Sequence, residues 1–272
     1  MQKSYDINEQ LNQRSSVFSC IIVTMDNSTK KSSSYKTKKS LTFTTWLLIL
    51  VGIVGSFVIW VFAKPVIVNT DVTPTGFAVQ GVAINQTSGY VDFQNLANNG
   101  IDFAYLRATS GNSFADDGYK SSYTRAKSAK LKVGAIQVYS SNTTAAVQAQ
   151  YFIDNVGNQI GELPIAIQVP DDQISTATDA QRLASLIQTL YSHYTHDIVI
   201  YTTPAVQKQL SDTIKDTKYW LIEDNTDNKA AENQFIQYDE DRTIGSGLKA
   251  VKMPTSVFNG TKKQFEAYKW LN

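Results

Sequence analysis

The sequence predicts an α/β protein whose main domain is an irregular TIM-like (β/α)5(β)3 barrel, preceded by one transmembrane helix and a disordered basic tail. Three observations support this. An uncharged apolar run lies near the N-terminus, short Val/Ile-rich runs then alternate with segments of helical period, and the alternation stops beyond residue 215. We expect a tail over 1–39, the membrane helix over 40–63, a linker over 64–76 and the barrel over 77–272.

The membrane helix is predicted from charge and length. No charged residue occurs in the 24 positions between Lys39 and Lys64, and a helix of that length spans the roughly 30 Å of a bilayer core. Residues 1–39 carry seven Lys/Arg against three acids, which places the N-terminus in the cytoplasm and the barrel outside the cell membrane. A signal peptide cleaved after Ala63 is the alternative, although the apolar run is longer than such peptides usually have.

Composition excludes several classes of function. The 272 residues include 25 basic and 24 acidic ones, and a net charge of +1 gives no support to a nucleic-acid partner. One cysteine, Cys20, rules out a disulfide scaffold and a cysteine-based zinc site. His193 and His196 flank the end of a predicted helix, where a surface or capping role is expected. We therefore expect no metal and no cofactor.

The barrel is predicted from the order of its elements. A helical pattern follows each of the first four strands, and a fifth such unit completes the alternating part. Three strands with little helix between them then close an eight-stranded barrel. An open doubly wound sheet is the alternative, but the turn at 85–89 lacks the glycine-rich GxGxxG pattern of that fold. The predicted strands are 78–84, 103–107, 132–139, 164–169, 197–201, 218–222, 234–238 and 249–253, and the predicted helices are 93–98, 118–129, 144–156 and 178–193.

Several segments of the barrel share the order and spacing of one known family. They read GVAINQTSG (81–89), IDFAYLRATSG (101–111), LKVGAIQVY (131–139) and QAQYF (148–152), and later landmarks are Tyr219-Trp220, Gln237-Tyr238 and VFNG (257–260). Over about 190 residues the sequence resembles the glycoside hydrolase family 25 lysozymes, muramidases that cut peptidoglycan. The resemblance implies the same barrel of five βα units and three strands.

The resemblance also implies catalytic carboxylates that this sequence lacks. Where the family has a D-x-E pair at the end of the fourth strand, this chain has Gln168 and Pro170. The Asp of the first strand is replaced by Ala83, and the position of a late Asp falls near Lys252. The family's His of the third strand and Glu of A-T-E-G correspond here to Gln137 and Ser110. An amide cannot cycle a proton at neutral pH, so we predict a barrel without catalytic acids.

Nearby acids offer an alternative catalytic set. Asp171 and Asp172 follow Pro170, and Glu223 and Asp224 follow the strand at 218–222. A shift of one to three residues moves a side chain by several ångströms, whereas catalytic geometry tolerates about one. We therefore favour solvated loop carboxylates at these four positions.

A glycosidase without its acids can keep a sugar-binding groove. Aromatic rings and amides hold sugars by stacking and hydrogen bonds, and several such side chains map to strand ends, where packing in the core is the alternative role. Tyr139 and Gln168 are the stronger candidates. The predicted ligand-binding set is Tyr139, Gln168, Gln137, Arg107, Tyr201, Trp220 and Gln237.

Three functions therefore remain open. The preferred one is a lysozyme-like pseudoenzyme anchored in a bacterial, Gram-positive, membrane that binds peptidoglycan glycan or an envelope protein. The second is an active muramidase that hydrolyses the β-1,4 bond between N-acetylmuramic acid and N-acetylglucosamine with relocated carboxylates. The third is a protein-interaction scaffold of an envelope complex.

Overall fold

A computed structural model describes residues 43–62 and 73–269, which belong to two compact units. The first unit contains helix α1 (Phe43–Phe62), and its apolar side chains from Trp46 to Val54 are exposed. Within the described residues, no helix was identified as long and apolar enough to cross a membrane. The predicted tail and most of the predicted linker lie outside the described residues.

The second unit is an eight-stranded barrel built of five βα units and three further strands, which confirms the predicted barrel. A ninth strand of two residues, Phe114–Ala115, pairs only with the second barrel strand. The closing contact of the barrel is the parallel pairing of the first two strands, Gly81 with Phe103 through Ile84 with Leu106. The last strand is antiparallel to both of its neighbours. The elements are β1 (Gln80–Ile84), α2 (Phe93–Asn98), β2 (Phe103–Ser110), β3 (Phe114–Ala115), α3 (Tyr119–Ser128), β4 (Lys132–Val138), α4 (Ala145–Val156), β5 (Ile165–Gln168), α5 (Ala177–Tyr194), β6 (Ile198–Thr202), α6 (Pro204–Leu210), β7 (Lys218–Ile222), β8 (Asn233–Ile244), β9 (Val251–Phe258) and α7 (Lys262–Glu266).

Two apolar layers hold the barrel together. An aliphatic layer lies between the strands and the surrounding helices, and an aromatic cluster fills the barrel interior. Glycines make room for the interior rings: a Cβ on Gly81 would lie 2.2 Å from the Phe103 ring, and one on Gly134 would lie 2.2 Å from the Tyr105 ring. The interior is therefore a packed aromatic core, and ligand access is confined to the ends of the strands. The main interior aromatic residues are Phe103, Tyr105, Tyr201, Trp220, Phe235 and Phe258.

The strands β8 and β9 extend beyond the barrel as a two-stranded arm. Two register shifts, between Gln237 and Asp239 and between Asp239 and Arg242, bend the arm where it leaves the barrel. Its far end contacts α2, because the Asn95 amide donates a hydrogen bond of 3.0 Å to the Lys249 carbonyl. The arm thus reaches α2, the helix that follows β1.

Candidate functional site

The carboxyl ends of the parallel strands form one open end of the barrel, called the mouth below. Ala83, Val138 and Ile222 pack against the interior cluster from this end. Ala166 belongs to the interior cluster, and since side chains alternate along a strand, Gln168 two residues later also faces the mouth. Small, apolar and amide side chains therefore occupy these four positions at the mouth.

The floor of the mouth is a hydrogen-bonded aromatic pair. The Tyr201 ring stacks on Trp220 with centroids 3.9 Å apart, and its hydroxyl donates to the Gln237 side-chain oxygen. The Trp220 indole donates a 3.0 Å hydrogen bond to the Ser256 hydroxyl. Burial raises the pKa of Tyr201, so its hydroxyl stays neutral and remains a donor at physiological pH. These predicted residues are brought together as a fixed, uncharged floor.

Gln168 has the free amide of the mouth. Gln168 pairs in register with Val138 of β4 on one side and with Tyr201 of β6 on the other. The side chain is half-buried and makes no hydrogen bond with any residue that the structure describes. An amide in this position offers both a donor and an acceptor to a ligand at the mouth.

At three other positions where the family resemblance implies an acid, the chain has Ala83, Pro170 and Lys252. Pro170 ends the strand segment and leads into a short 3-10 turn, Asp171–Gln173. Lys252, predicted near the late Asp position, is exposed on the β8–β9 arm. Its ammonium group donates a 2.7 Å hydrogen bond to the Asp241 carboxylate, which raises the pKa of Lys252. The predicted placement of Lys252 at the mouth is corrected by the register of the arm, because Ser256, four residues later, is the β9 side chain that meets the floor.

The four alternative acids lie in loops. The Asp171 carboxylate accepts a 2.6 Å hydrogen bond from the Thr203 hydroxyl, and Asp172 accepts one of 3.0 Å from its neighbour Gln173. Both are exposed, as is Asp224.

Glu223 is half-buried and accepts a 2.9 Å hydrogen bond from the Asn228 amide within its own loop. None of these three contacts joins two of the carboxylates to each other. Within the described part of the chain, no three His, Cys, Asp or Glu side chains are grouped so that they could hold a metal ion.

Two predicted ligand-binding residues are corrected to structural roles. Tyr139 is 2% exposed, packs in the layer between strands and helices, and donates a 2.9 Å hydrogen bond to the Asp179 carbonyl. Gln137 is fully buried, and its amide donates to the carbonyls of Gly111 and Val138. Both side chains point away from the barrel interior, on the opposite face of β4 from Val138.

Arg107 and His196 also differ from expectation. Arg107 turns away from the centre of the mouth toward Asp116, with 3.7 Å between the guanidinium and the carboxylate. His196 is a buried residue whose Nε2 lies 2.9 Å from the Leu163 carbonyl oxygen, whereas His193 is exposed as predicted. Sequence reasoning missed Ser256, although its position two residues before the interior ring of Phe258 could have indicated its direction.

Comparison with known proteins identifies the family of the barrel. The model of the family Glycosyl hydrolases family 25 matches residues 82–246. An autolytic lysozyme of Clostridium acetobutylicum is 26% identical over 149 residues, which are 53% of this chain and 45% of the relative. Lysozyme M1 of Streptomyces globisporus is 28% identical over 136 residues, which are 46% of each chain. The chain thus spans less than half the length of these two relatives.

Solved structures show the same fold. A family 25 glycosyl hydrolase from Bacillus anthracis superposes with a TM-score of 0.65 at 25% identity, covering 72% of this chain and 96% of that one. A bacterial lysozyme from Streptomyces coelicolor gives a TM-score of 0.61 at 22% identity, covering 70% and 96%. Since the family model also matches more than half of the sequence, this chain belongs to glycosyl hydrolases family 25.

Proposed function

We propose that this protein is a membrane-anchored, lysozyme-like domain that binds the glycan of peptidoglycan without hydrolysing it. The observation that carries the proposal is the set of side chains at the mouth: Ala83, Gln168 and Pro170 stand where a family 25 hydrolase is expected to keep its acids. Glycoside hydrolysis requires a proton donor and a second carboxylate or equivalent base, both held at the scissile bond. Loop acids that are exposed or bound within their own loop do not meet that requirement.

The mouth is suited to a neutral sugar. Gln168 supplies a donor and an acceptor, and Val138 and Ile222 supply apolar surface beside it. Sugar rings combine hydroxyl edges with apolar faces, so a mixed amide and aliphatic lining matches them. The fixed Tyr201–Trp220 pair keeps this lining in place, which reduces the entropy lost on binding. The relatives named as lysozymes indicate wall glycan as the sugar.

Co-sedimentation with insoluble peptidoglycan tests the binding. The full chain, purified in mild detergent, is expected to sediment with the wall material. Gln168→Ala should weaken this binding about five- to tenfold, the loss expected for one or two hydrogen bonds. Gln209→Ala, at an exposed position on α6, is the matched control and should bind like the unaltered protein.

Two outcomes would contradict the proposal. Equal binding by Gln168→Ala and the control would show that Gln168 and the mouth do not bind the glycan. Failure of the unaltered protein to sediment, combined with cross-linking to one envelope protein in cells, would favour the scaffold function instead.

The membrane anchor is the second part of the proposal. It is supported by the uncharged stretch 40–63, by the helical conformation of Phe43–Phe62 and by the basic excess before it. We expect the full chain to stay in the membrane pellet at alkaline pH, and deletion of 43–62 to release it. Protease added outside protoplasts should remove the barrel. Alkaline extraction of the full chain into the soluble fraction would contradict the anchor.

A further inference from the structure

A second concave surface lies beside the mouth, at the carboxyl ends of β1 and β2 and the start of α3. We call it the flank groove; its volume is about 450 Å³, within the range of small-ligand sites. Its lining includes Tyr90, Arg107, Asp116, Asp117 and Arg125. Two positive and two negative side chains therefore share one groove.

Two buried polar atoms of the flank groove have no hydrogen-bond partner among the residues that the structure describes. The Asp116 side chain is 3% exposed; one carboxylate oxygen accepts a 3.0 Å hydrogen bond from the Gly118 N–H, while Oδ2 accepts none. The Arg107 Nε is likewise buried without an acceptor, and its Nη2 lies 3.7 Å from Oδ2, too far for a hydrogen bond. Buried polar groups in proteins are normally paired, so an unpaired acceptor beside an unpaired donor indicates a ligand with the complementary groups.

The outer rim of the flank groove adds an exposed ring. Tyr90 is 82% exposed, and the Arg125 guanidinium covers one face of its ring at 4.7 Å from the centroid. Arg125 is held by a 3.0 Å hydrogen bond to the Val91 carbonyl. The ring is therefore supported from one side, and its exposure leaves area for contact with a ligand.

We infer that the flank groove binds a short peptide that carries charges of both signs. A peptide C=O can accept a hydrogen bond from the Arg107 Nε, and a peptide N–H or ammonium group can donate one to the Asp116 carboxylate. The ionised ends of the peptide match the mixed charge of the lining. Arg107 and Asp116 face each other at 3.7 Å without a hydrogen bond, and a neutral sugar offers neither of them an ionised group. Such peptides occur free and attached to wall glycan; for the attached form the inference rests on the proposed function.

Calorimetric titration of the full chain in detergent tests the inference. The probe is the glycan-free tetrapeptide L-Ala-γ-D-Glu-L-Lys-D-Ala, and saturable binding is expected. Asp116→Asn should weaken it about tenfold or more, because a charge-assisted hydrogen bond is lost. Asp212→Asn, whose side chain is fully exposed elsewhere, is the matched control.

Further variants separate the two sites and guard against misfolding. In Asp116→Asn the amide oxygen can still accept the hydrogen bond from the Gly118 N–H, so the loop keeps its contact. Tyr90→Ala, at an exposed position, should weaken peptide binding several-fold and leave the melting temperature unchanged. Gln168→Ala should bind the peptide normally even where glycan binding fails. Absence of saturable peptide binding, or equal affinity in Asp116→Asn and the control, would overturn the inference. Binding of peptide-free glycan strands that depends on Asp116 would assign the groove to sugar instead.

Discussion

Two side chains at the end of one strand decide what the mouth can do chemically. Gln168 places an amide where the family resemblance implies an aspartate, so hydrogen bonding survives while proton transfer does not. Pro170 has no side-chain polar atom and begins a turn that carries the next acids into solvent. The proposed function thus separates binding from catalysis at the residue scale.

Another residue, Asp179, ties acid stability to a helix cap. Its carboxylate accepts a 2.7 Å hydrogen bond from the Thr176 hydroxyl and a 2.9 Å one from the Thr176 N–H, in the capping box of α5. The Thr176 hydroxyl is the main cause that lowers the pKa of Asp179 from its ordinary 3.8. Because the folded state holds this proton less tightly than the unfolded chain, its stabilisation is present above pH 3.8 and is lost as pH falls through the folded pKa.

We therefore predict that the free energy of unfolding depends less on pH in the acid range for Asp179→Asn than for the unaltered protein. Urea unfolding at pH 7 and at about pH 3 should show a smaller loss of unfolding free energy in this variant than in the unaltered protein. Asp212→Asn, an exposed carboxylate, should lose as much stability as the unaltered protein does. An identical loss of unfolding free energy in Asp179→Asn and the unaltered chain would contradict the role of the cap.

At the scale of elements, periodicity located eight of the nine strands and four of the six helices in the second unit, without β3, α6 and α7. The predicted helix 93–98 and strand 218–222 agree with α2 and β7: Asp92 caps the start of α2, and β7 is a short, mainly apolar run. It missed α6, whose seven residues are too few to show a stripe despite the Thr203 cap and the following proline. It also ended β8 early, because the Asp239–Arg242 part of the arm is polar.

The site was less predictable than the elements. A strand end alone does not say which face a side chain occupies, and a shift of one residue reverses it. Tyr139 was assigned to the mouth because it ends β4, yet it lies on the helix-facing side, one residue beyond Val138. The flank groove could not be predicted, because Asp116 and Tyr90 come from loops whose approach depends on the closed barrel.

The connection between α4 and β5 gives a test of packing at this scale. Gly157 (φ 56°) and Gly161 (φ 85°) both have a positive φ, but only at Gly161 would a Cβ collide, 2.0 Å from the Val133 carbonyl oxygen. Gly157 has ψ −131°, outside the left-handed α well, so Gly157→Ala should cost about 1–3 kcal/mol from backbone strain alone. Gly161→Ala should cost about 1–3 kcal/mol more than that, because the strand must also move. Equal losses of unfolding free energy in urea would contradict the close approach at Gly161.

At the scale of the whole molecule, charge is distributed unevenly along the chain. Residues 1–64 carry a net charge of +5 and residues 65–272 a net charge of −4, so the total of +1 conceals two different segments. In the proposed topology the basic segment faces the cytoplasm and the mildly acidic barrel faces the wall. The anchor would hold the mouth close to newly made wall at the membrane surface.

The fold of the barrel does not depend on acids at the mouth. Its interior is filled by Tyr105, Trp220 and Phe235, whose rings lie within 6.0 Å of one another, centroid to centroid. This core lies beneath the mouth, and Tyr105 finds its hydrogen bond at the Pro164 carbonyl. Acids clustered at an active site destabilise a fold through mutual repulsion, so neutral replacements are structurally tolerated.

The most direct test of the central claim is the release of reducing ends from purified peptidoglycan by the full chain, with an active family 25 lysozyme run in parallel. We predict no release above the protein-free control while the protein remains bound to the wall, since losing even one general acid slows such reactions by about 10²–10⁴-fold. Sustained release that disappears on Glu223→Gln or Asp171→Asn substitution would contradict the claim and show that relocated carboxylates perform the hydrolysis.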